Sequence, residues 1–315
     1  MNLTKRQEAE LVTAIQGRGE VPLKFAYLGE GAGNWDKISG QREEGGGINS
    51  AEGKLLEKRI DDFISTLSSE KGVNIIDIGC GNGYPVFPIL KKLLDNNIKF
   101  KYVPLDISQE MLDLAIKNVA DEFPETESEG LQIDFELGQF SDITYDLKKD
   151  GSVNLMLFLG STLGNHSDLN RVLSNFRDSM SSKDYMIVGV ELTNLVKVQN
   201  ITSHYEGEVV EDFVFNTLNY IGVPKESRDM EITWNNADNQ VEIRAVLKED
   251  VSIKIADESF ALFKGEKILL SRSKKFSESV VAQVLSDVGF RTELLTTNEE
   301  RGYLLTMVQP TRYSI

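Results

Sequence analysis

Five short runs rich in β-branched and aliphatic residues, at positions 73–78, 100–105, 131–137, 153–159 and 185–190, recur with helical patterns between them. Runs this apolar suit strands buried on both faces, and strands that alternate with helices join through right-handed crossovers into a parallel sheet. Two of the intervening helices are well marked. One has Pro85 in its first turn, and the other carries Leu169, Val172, Leu173, Phe176 and Met180 at three- and four-residue spacing. The chain is therefore expected to form an α/β, doubly wound sheet.

From about residue 194 to residue 273 the rhythm changes. A helical stretch over 205–221 is followed by alternating runs such as Val241-Glu242-Ile243-Arg244-Ala245, with no helices between them. This predicts an inserted α+β lobe. The tail then returns to sheet logic, with a helix near 277–288, Gly289 at its end, and strand-like runs at 291–296 and 303–309 joined by a turn at 298–302. The expected division is 51–193 with 274–315 for the sheet domain, and 1–50 with 194–273 for a substrate-binding domain. Five parallel strands with an appended hairpin is the architecture of Rossmann-like methyltransferases, whereas nucleotide dehydrogenases usually continue with parallel strands. The early glycines, Gly29 to Gly33 and Gly45-Gly46-Gly47, suit either a mobile lid or an ordinary surface loop.

Composition narrows the partners. Lys and Arg number 34 against 50 Asp and Glu, and a net charge of −16 repels both nucleic acid and anionic membrane. The single cysteine, Cys80, allows no internal disulfide, and two histidines give little material for a metal site, so none is expected. No signal-peptide core follows the first residues and no apolar run reaches ~18 residues. The expectation is a cytoplasmic protein with a small-molecule partner.

The chemistry concentrates where the strands end. The first strand runs into Gly79-Cys80-Gly81-Asn82-Gly83, and residues without a Cβ let the backbone touch a ligand at the carboxyl edge of an open sheet. The dinucleotide fingerprint needs a further glycine at its sixth position, where Tyr84 or Val86 stands. Asp106, just after the second strand, can accept both hydroxyls of a ribose, a geometry that serves S-adenosylmethionine and NAD alike. Ser108 is the expected N-cap of the next helix. Gln139 and Phe140, after the third run, stand where many methyltransferases place an acidic residue and an aromatic against adenine; a polar turn with Phe140 returning to the core fits the spacing equally. The fourth run breaks into Gly160-Ser161-Thr162-Leu163-Gly164-Asn165-His166, a concentration of small and hydrogen-bonding residues. Methyl transfer to a neutral nucleophile depends mostly on in-line positioning, for which carboxamides and hydroxyls suffice. His166, beside a helix start, suits a structural role better than that of a general base.

Together these residues resemble the histidine-specific S-adenosylmethionine-dependent methyltransferases of the ergothioneine pathway. Gly160 to Asn165 resembles that family's fourth-strand motif, and Tyr102-Val103-Pro104-Leu105-Asp106-Ile107-Ser108 its ribose-binding strand. Lys24 to Gly29 is similar to its N-terminal aromatic segment, Tyr205 with Phe215-Asn216 to the start of its inserted lobe, and Ser273 and Lys275 to the strand leading back to the sheet. The resemblance implies S-adenosylmethionine as cofactor, held by Gly79, Cys80, Gly81, Asp106, Gln139, Phe140, Gly160 and Ser161. It also implies that Asn165 and Tyr205 grip the amino-acid part of the acceptor, with Tyr27, Thr162, Phe215, Ser271 and Ser273 around it.

Two departures concern the acceptor. The family's Tyr-Tyr-Pro-Thr-Arg stretch is replaced by Gly45-Gly46-Gly47-Ile48-Asn49-Ser50, and the glutamate that contacts imidazole aligns with Ser271. The expected activity is N-methylation of an amino acid or related small amine, with histidine not implied. The competing expectations are a non-catalytic S-adenosylmethionine-binding module that docks a protein, and a nicotinamide-dependent dehydrogenase.

Overall fold

The computed structural model describes residues 2–44, 48–67, 72–193 and 198–311. The chain divides into two compact units, Ser39–Asn194 with Lys275–Ile315, and Met1–Ile38 with Leu195–Lys274. Residues 39–50, grouped above with the substrate-binding domain, fall on the sheet side of this division. The Gly45-Gly46-Gly47 stretch lies outside the described residues. No helix among the described residues is long and apolar enough to cross a membrane.

In the larger unit the strands are β1 (Val73–Ile78), β2 (Phe100–Asp106), β3 (Leu131–Gln132), β4 (Val153–Phe158) and β5 (Tyr185–Glu191). All five run parallel, and the sheet is completed on the β5 side by the C-terminal hairpin strands, Phe290–Thr297 and Tyr303–Pro310. The order is hairpin, β5, β4, β1, β2, β3, with Tyr303–Pro310 antiparallel to β5. Both β1 and β4 are buried at every position, as their unbroken apolar runs require. Helices cover both faces. On one, Leu173 and Phe176 of Leu169–Asp178 and Val281 and Leu285 of Glu278–Asp287 pack onto Met156, Phe158 and Val188; on the other, Leu56 and Phe63 of Ile48–Thr66 and Ile89 and Leu93 of Phe87–Asp95 pack onto Ile75, Leu155 and Ile187. The hairpin turn is closed by Asn298, whose side-chain oxygen accepts from the Gly302 and Tyr303 amides at 2.8 and 3.0 Å.

The third run is shorter than its composition suggests. β3 ends at Gln132 instead of 137, because Asp134 draws the backbone into a turn of its own: its carboxylate accepts from the Glu136 amide at 3.2 Å and its carbonyl from the Leu137 amide at 3.1 Å. Local bonds of this kind compete directly with a strand ladder.

The smaller unit holds an antiparallel sheet of β6 (Arg228–Asn235), β7 (Gln240–Leu247) and β10 (Lys267–Lys274), in the order β10-β7-β6, and a separate hairpin of β8 (Val251–Ile255) and β9 (Glu258–Leu262). The N-terminal segment extends the sheet beyond β10, with the Val21 amide on the Leu269 carbonyl and the Leu269 amide on the Gly19 carbonyl, both at 2.8 Å. The first helix, α1 (Lys5–Arg18), begins with a capping box in which Thr4 and Gln7 satisfy each other's amides. The Gly29 to Gly33 stretch is neither lid nor loop. Gly29 turns with φ 60°, and α2 (Glu30–Glu44) begins at the next residue. Gly31 is needed there because a Cβ would collide with the Ala26 carbonyl and the Asn216 side chain, whereas a Cβ on Gly33 meets nothing within 4 Å. Gly33→Ala is therefore expected to stabilise the protein by about 0.5–1 kcal/mol through helix propensity. Gly31→Ala should destabilise it by about 1–3 kcal/mol through overpacking. Urea unfolding of the two variants checks the opposite signs.

Candidate active site

Ligands of open α/β sheets bind outside the carboxyl ends of the strands, and β1, β2 and β4 end side by side. Gly79 and Gly81 turn the chain after β1 with φ of 65° and 54°. The Gly79 amide donates to the Leu105 carbonyl of β2 at 2.7 Å, and the Gly83 amide closes the loop on the Cys80 carbonyl at 2.9 Å. Gly83 serves packing instead of ligand approach: a Cβ there would stand 3.1 Å from Cα of Ala115 in the helix Gln109–Glu122. The Cys80 side chain is buried against Leu112 and Ala115, which pushes its thiol up and leaves only its backbone to line the loop.

At the end of β2, Asp106 accepts from the Ser108 amide at 3.0 Å, with the Gly81 and Ile107 amides also bonded to it. Burial outweighs these bonds and raises its carboxyl to about 6. Asp77, on β1, is buried more severely and sits at about 7, although the Tyr102 hydroxyl donates to it at 2.9 Å.

β4 ends in a sharper turn. Gly160 and Ser161 are both left-handed, with φ of 68° and 59°, and lead into a single 3₁₀ turn, Thr162–Asn165. The Thr162 methyl and the Phe135 ring each lie 3.7 Å from the Cβ position of Gly79, so the β1 and β4 turns meet. The Ser161 hydroxyl accepts from the Glu191 amide at 2.7 Å, and Glu191 pairs with the buried Lys275. Both oxygens of the Glu52 carboxyl accept from the Gly160 amide, at 2.9 and 3.1 Å, and the Tyr303 hydroxyl donates to the same carboxyl. Burial raises Glu52 to about 7. His166 Nδ1 lies 3.1 Å from the Glu136 carboxylate, and the ring stacks on Phe158.

Gln139 and Phe140 stand apart from this edge. The Gln139 amide donates to Asp178 at 3.0 Å, while the Phe140 ring is in the core against Phe176 and its backbone amide donates to the Ser179 hydroxyl at 2.9 Å. The early end of β3 is the cause, and Phe135 is the aromatic it sets beside Gly79.

In the smaller unit, Tyr27 packs edge-on against Phe213 at 4.9 Å and Trp35 at 5.4 Å. The Asn216 side chain donates to the Ala26 and Leu28 carbonyls at 3.0 and 2.8 Å and so fixes the segment that carries Tyr27. Tyr205 is buried at the end of the 3₁₀ helix Val198–Tyr205. Phe215 is a core residue, with the Arg228 guanidinium 4.4 Å over its ring. A bulge between Leu269 and Ser271 sets the register of β10, so that Ser271 and Ser273 lie on one face, opposite Ile243 and Val241.

A model of the histidine-specific, S-adenosylmethionine-dependent methyltransferase family matches residues 7–310. The chain belongs to this family. Its relatives include the N-methyltransferase imqF of Aspergillus flavus, 26% identical over 80% of this chain and 71% of that protein. The histidine N-alpha-methyltransferase of Mycolicibacterium smegmatis is 24% identical, over 86% of this chain and 84% of its own length. A third, the N-methyltransferase fsqC of Aspergillus fumigatus, is 23% identical over 77% and 67%. The protein is thus an S-adenosylmethionine-dependent methyltransferase.

The residues at this edge suit a cofactor that needs close backbone approach and a carboxylate beside it. Gly79, Gly81 and Gly160 supply Cβ-free backbone at the edge, and Asp106 places a carboxylate beside them. Sequence reasoning missed Glu52, Tyr303 and Phe135. A glutamate on a helix is normally exposed and gives no signal. The one hint is Gly189 within the apolar run of β5, since a strand glycine marks a close approach.

These raised carboxyls have a consequence for the cofactor-free methyltransferase. Between about pH 4 and 6 the unfolded chain has released the Asp106 proton while the folded chain keeps it, so the folded state binds more protons and stability falls as pH rises. Replacing Asp106 with Asn removes that contribution, on the order of 3 kcal/mol over this window. Urea midpoints at stepped pH should therefore fall less steeply in the variant than in the unmodified protein. Equal slopes would contradict the burial of this carboxyl.

Proposed function

We propose that this methyltransferase N-methylates an amino acid or a related small amine in the cytoplasm. The observation that carries the reading is the meeting of the Gly79 and Gly160-Ser161 turns beside Asp106. When bound, S-adenosylmethionine supplies an electrophilic methyl group on a sulfonium. Asp106 is assigned to the ribose hydroxyls, the Gly79, Cys80 and Gly81 backbone to the amino-acid tail, and Gly160 and Ser161 to the same cofactor. Phe135 replaces Phe140 as the aromatic assigned to adenine, because it is the ring beside Gly79. Asn165 and Tyr205 are assigned to the acceptor, with Tyr27, Thr162, Ser271 and Ser273 in supporting roles, and positioning supplies much of the rate. The relatives, two N-methyltransferases and a histidine N-alpha-methyltransferase, support nitrogen as the atom methylated. Acidic composition supports a small acceptor over a nucleic acid. No observation favours the non-catalytic module.

Isothermal titration tests the cofactor assignments. S-adenosylmethionine and its demethylated product should bind and NAD should not, and Asp106→Ala should weaken binding by about 1.5–3 kcal/mol because a charged acceptor to two hydroxyls is lost. Unchanged affinity in that variant would contradict the ribose assignment.

Histidine is expected to be a poor acceptor. A carboxylate facing the imidazole N–H contributes about 1.5–3 kcal/mol and a serine hydroxyl roughly half that, so Ser271 lowers discrimination for histidine by about fourfold to tenfold. Ser271→Glu should raise histidine affinity, measured by titration in the presence of the demethylated cofactor. Efficient trimethylation of histidine by the unmodified protein would refute this expectation.

A further inference from the structure

The polar group buried most completely beside the β4 turn has no part in the assignments above. Glu52, on the helix Ile48–Thr66, and Tyr303, on the last strand, are each 1% exposed. They meet over Gly189 of β5, where a Cβ would collide with the carboxylate and stand 2.7 Å from the Tyr303 hydroxyl. The glycine leaves room for the pair, and three elements converge on it. The carboxylate then takes the Gly160 amide on both oxygens, while the Tyr303 hydroxyl also reaches Ser161. The left-handed pair Gly160-Ser161 is thus held from both residues, at a backbone conformation unfavourable for a serine. Four residues further on stands Asn165.

We propose that Glu52 is a positioning residue for methyl transfer: its ionised carboxylate, with the Tyr303 hydroxyl, fixes the Gly160-Ser161 turn and through it the placement of Thr162 to Asn165. The proposal rests on the assignment of that turn to the methyl-transfer site. The ionised form is the one in which both oxygens accept from the Gly160 amide and one of them also from Tyr303, whereas protonation turns one oxygen into a donor and leaves a single acceptor for the turn. The groups facing the carboxyl are few. Among the described residues, Tyr303 comes from the last strand, Asp77 on β1 is close enough to be raised by the Glu52 charge, and β5 offers Gly189 at this level, with the Glu191–Lys275 pair two residues beyond. Burial holds Glu52 at about 7, and the Tyr303 bond pulls against that rise. Loss of the hydroxyl therefore raises Glu52 further.

The test compares the unmodified protein with Glu52→Gln and Tyr303→Phe, both near-isosteric. Three quantities are followed from acid to alkaline pH: methyl transfer from S-adenosylmethionine to an equimolar mixture of the protein amino acids and simple amines, affinity for S-adenosylhomocysteine, and the amide resonance of Gly160. In the unmodified protein, transfer should rise with pH through about 7 and the Gly160 resonance should titrate with it. Glu52→Gln should lose both features and transfer about tenfold or more slowly, with product affinity within about threefold. Tyr303→Phe should move the inflection to higher pH. A folded Glu52→Gln protein with unmodified rates, or with the same inflection, overturns the proposal. Should that variant fail to fold, an unmoved inflection in Tyr303→Phe overturns it instead. A Gly160 resonance that does not titrate in the unmodified protein overturns it independently of any acceptor, whereas absence of transfer to every amine in the mixture, with a titrating Gly160, refutes the acceptor reading.

Discussion

Buried backbone amides must be satisfied where parallel strands stop, and in this protein carboxylates meet much of that need at one edge. Asp106 takes the amides of Gly81, Ile107 and Ser108, and Glu52 takes that of Gly160. Asp77 lies between them and feels both electrostatically. Burying such groups is costly, which is why all three are held above the usual carboxylate range. The arrangement makes chemical sense for a ligand that carries a sulfonium and an ammonium, since positive charge brought to this edge favours the ionised acids.

The same edge explains the choice of residue at each turn. Gly79, Gly83 and Gly160 all adopt conformations that favour glycine, and Gly83 in addition answers to Ala115 and the helix behind it. Catalysis by positioning asks for rigidity in the segment that carries the polar groups, and the Gly160-Ser161 turn is tied by the Glu191 amide, the Glu52 carboxylate and the Tyr303 hydroxyl. The smaller unit shows comparable care around Tyr27, with Asn216 spending both amide hydrogens on the segment that bears it.

Much of this was legible in the sequence. Short β-branched runs bounded by turn residues and separated by helical patterns gave β1, β2, β4 and β5, and the return of strand patterning after the inserted lobe gave the hairpin, because run length and flanking residues separate a buried strand from a buried helix. The third strand was overread, since apolar content at 131–137 says nothing of the turn that Asp134 forms with its own backbone. The ring beside Gly79 is Phe135, while Phe140 packs in the core. The Gly29 to Gly33 stretch misled in the opposite sense: Gly31 and Gly33 look like loop residues but lie in a helix, and Gly31 is a glycine there because Ala26 and Asn216 leave no room for a Cβ. Glu52 was invisible for a more general reason. Its partner Tyr303 lies 251 positions away, and only the folded sheet brings the two together.

The central claim is that this edge transfers a methyl group to the nitrogen of a small acceptor. The most direct measurement is to incubate the protein with methyl-labelled S-adenosylmethionine and a panel of amino acids and amines, and to identify the labelled product by mass spectrometry. The account predicts an N-methylated amino acid or amine, formed far more slowly by Asn165→Ala and Tyr205→Phe proteins that still bind the cofactor. Label on oxygen or carbon, or full activity in both variants, would contradict it.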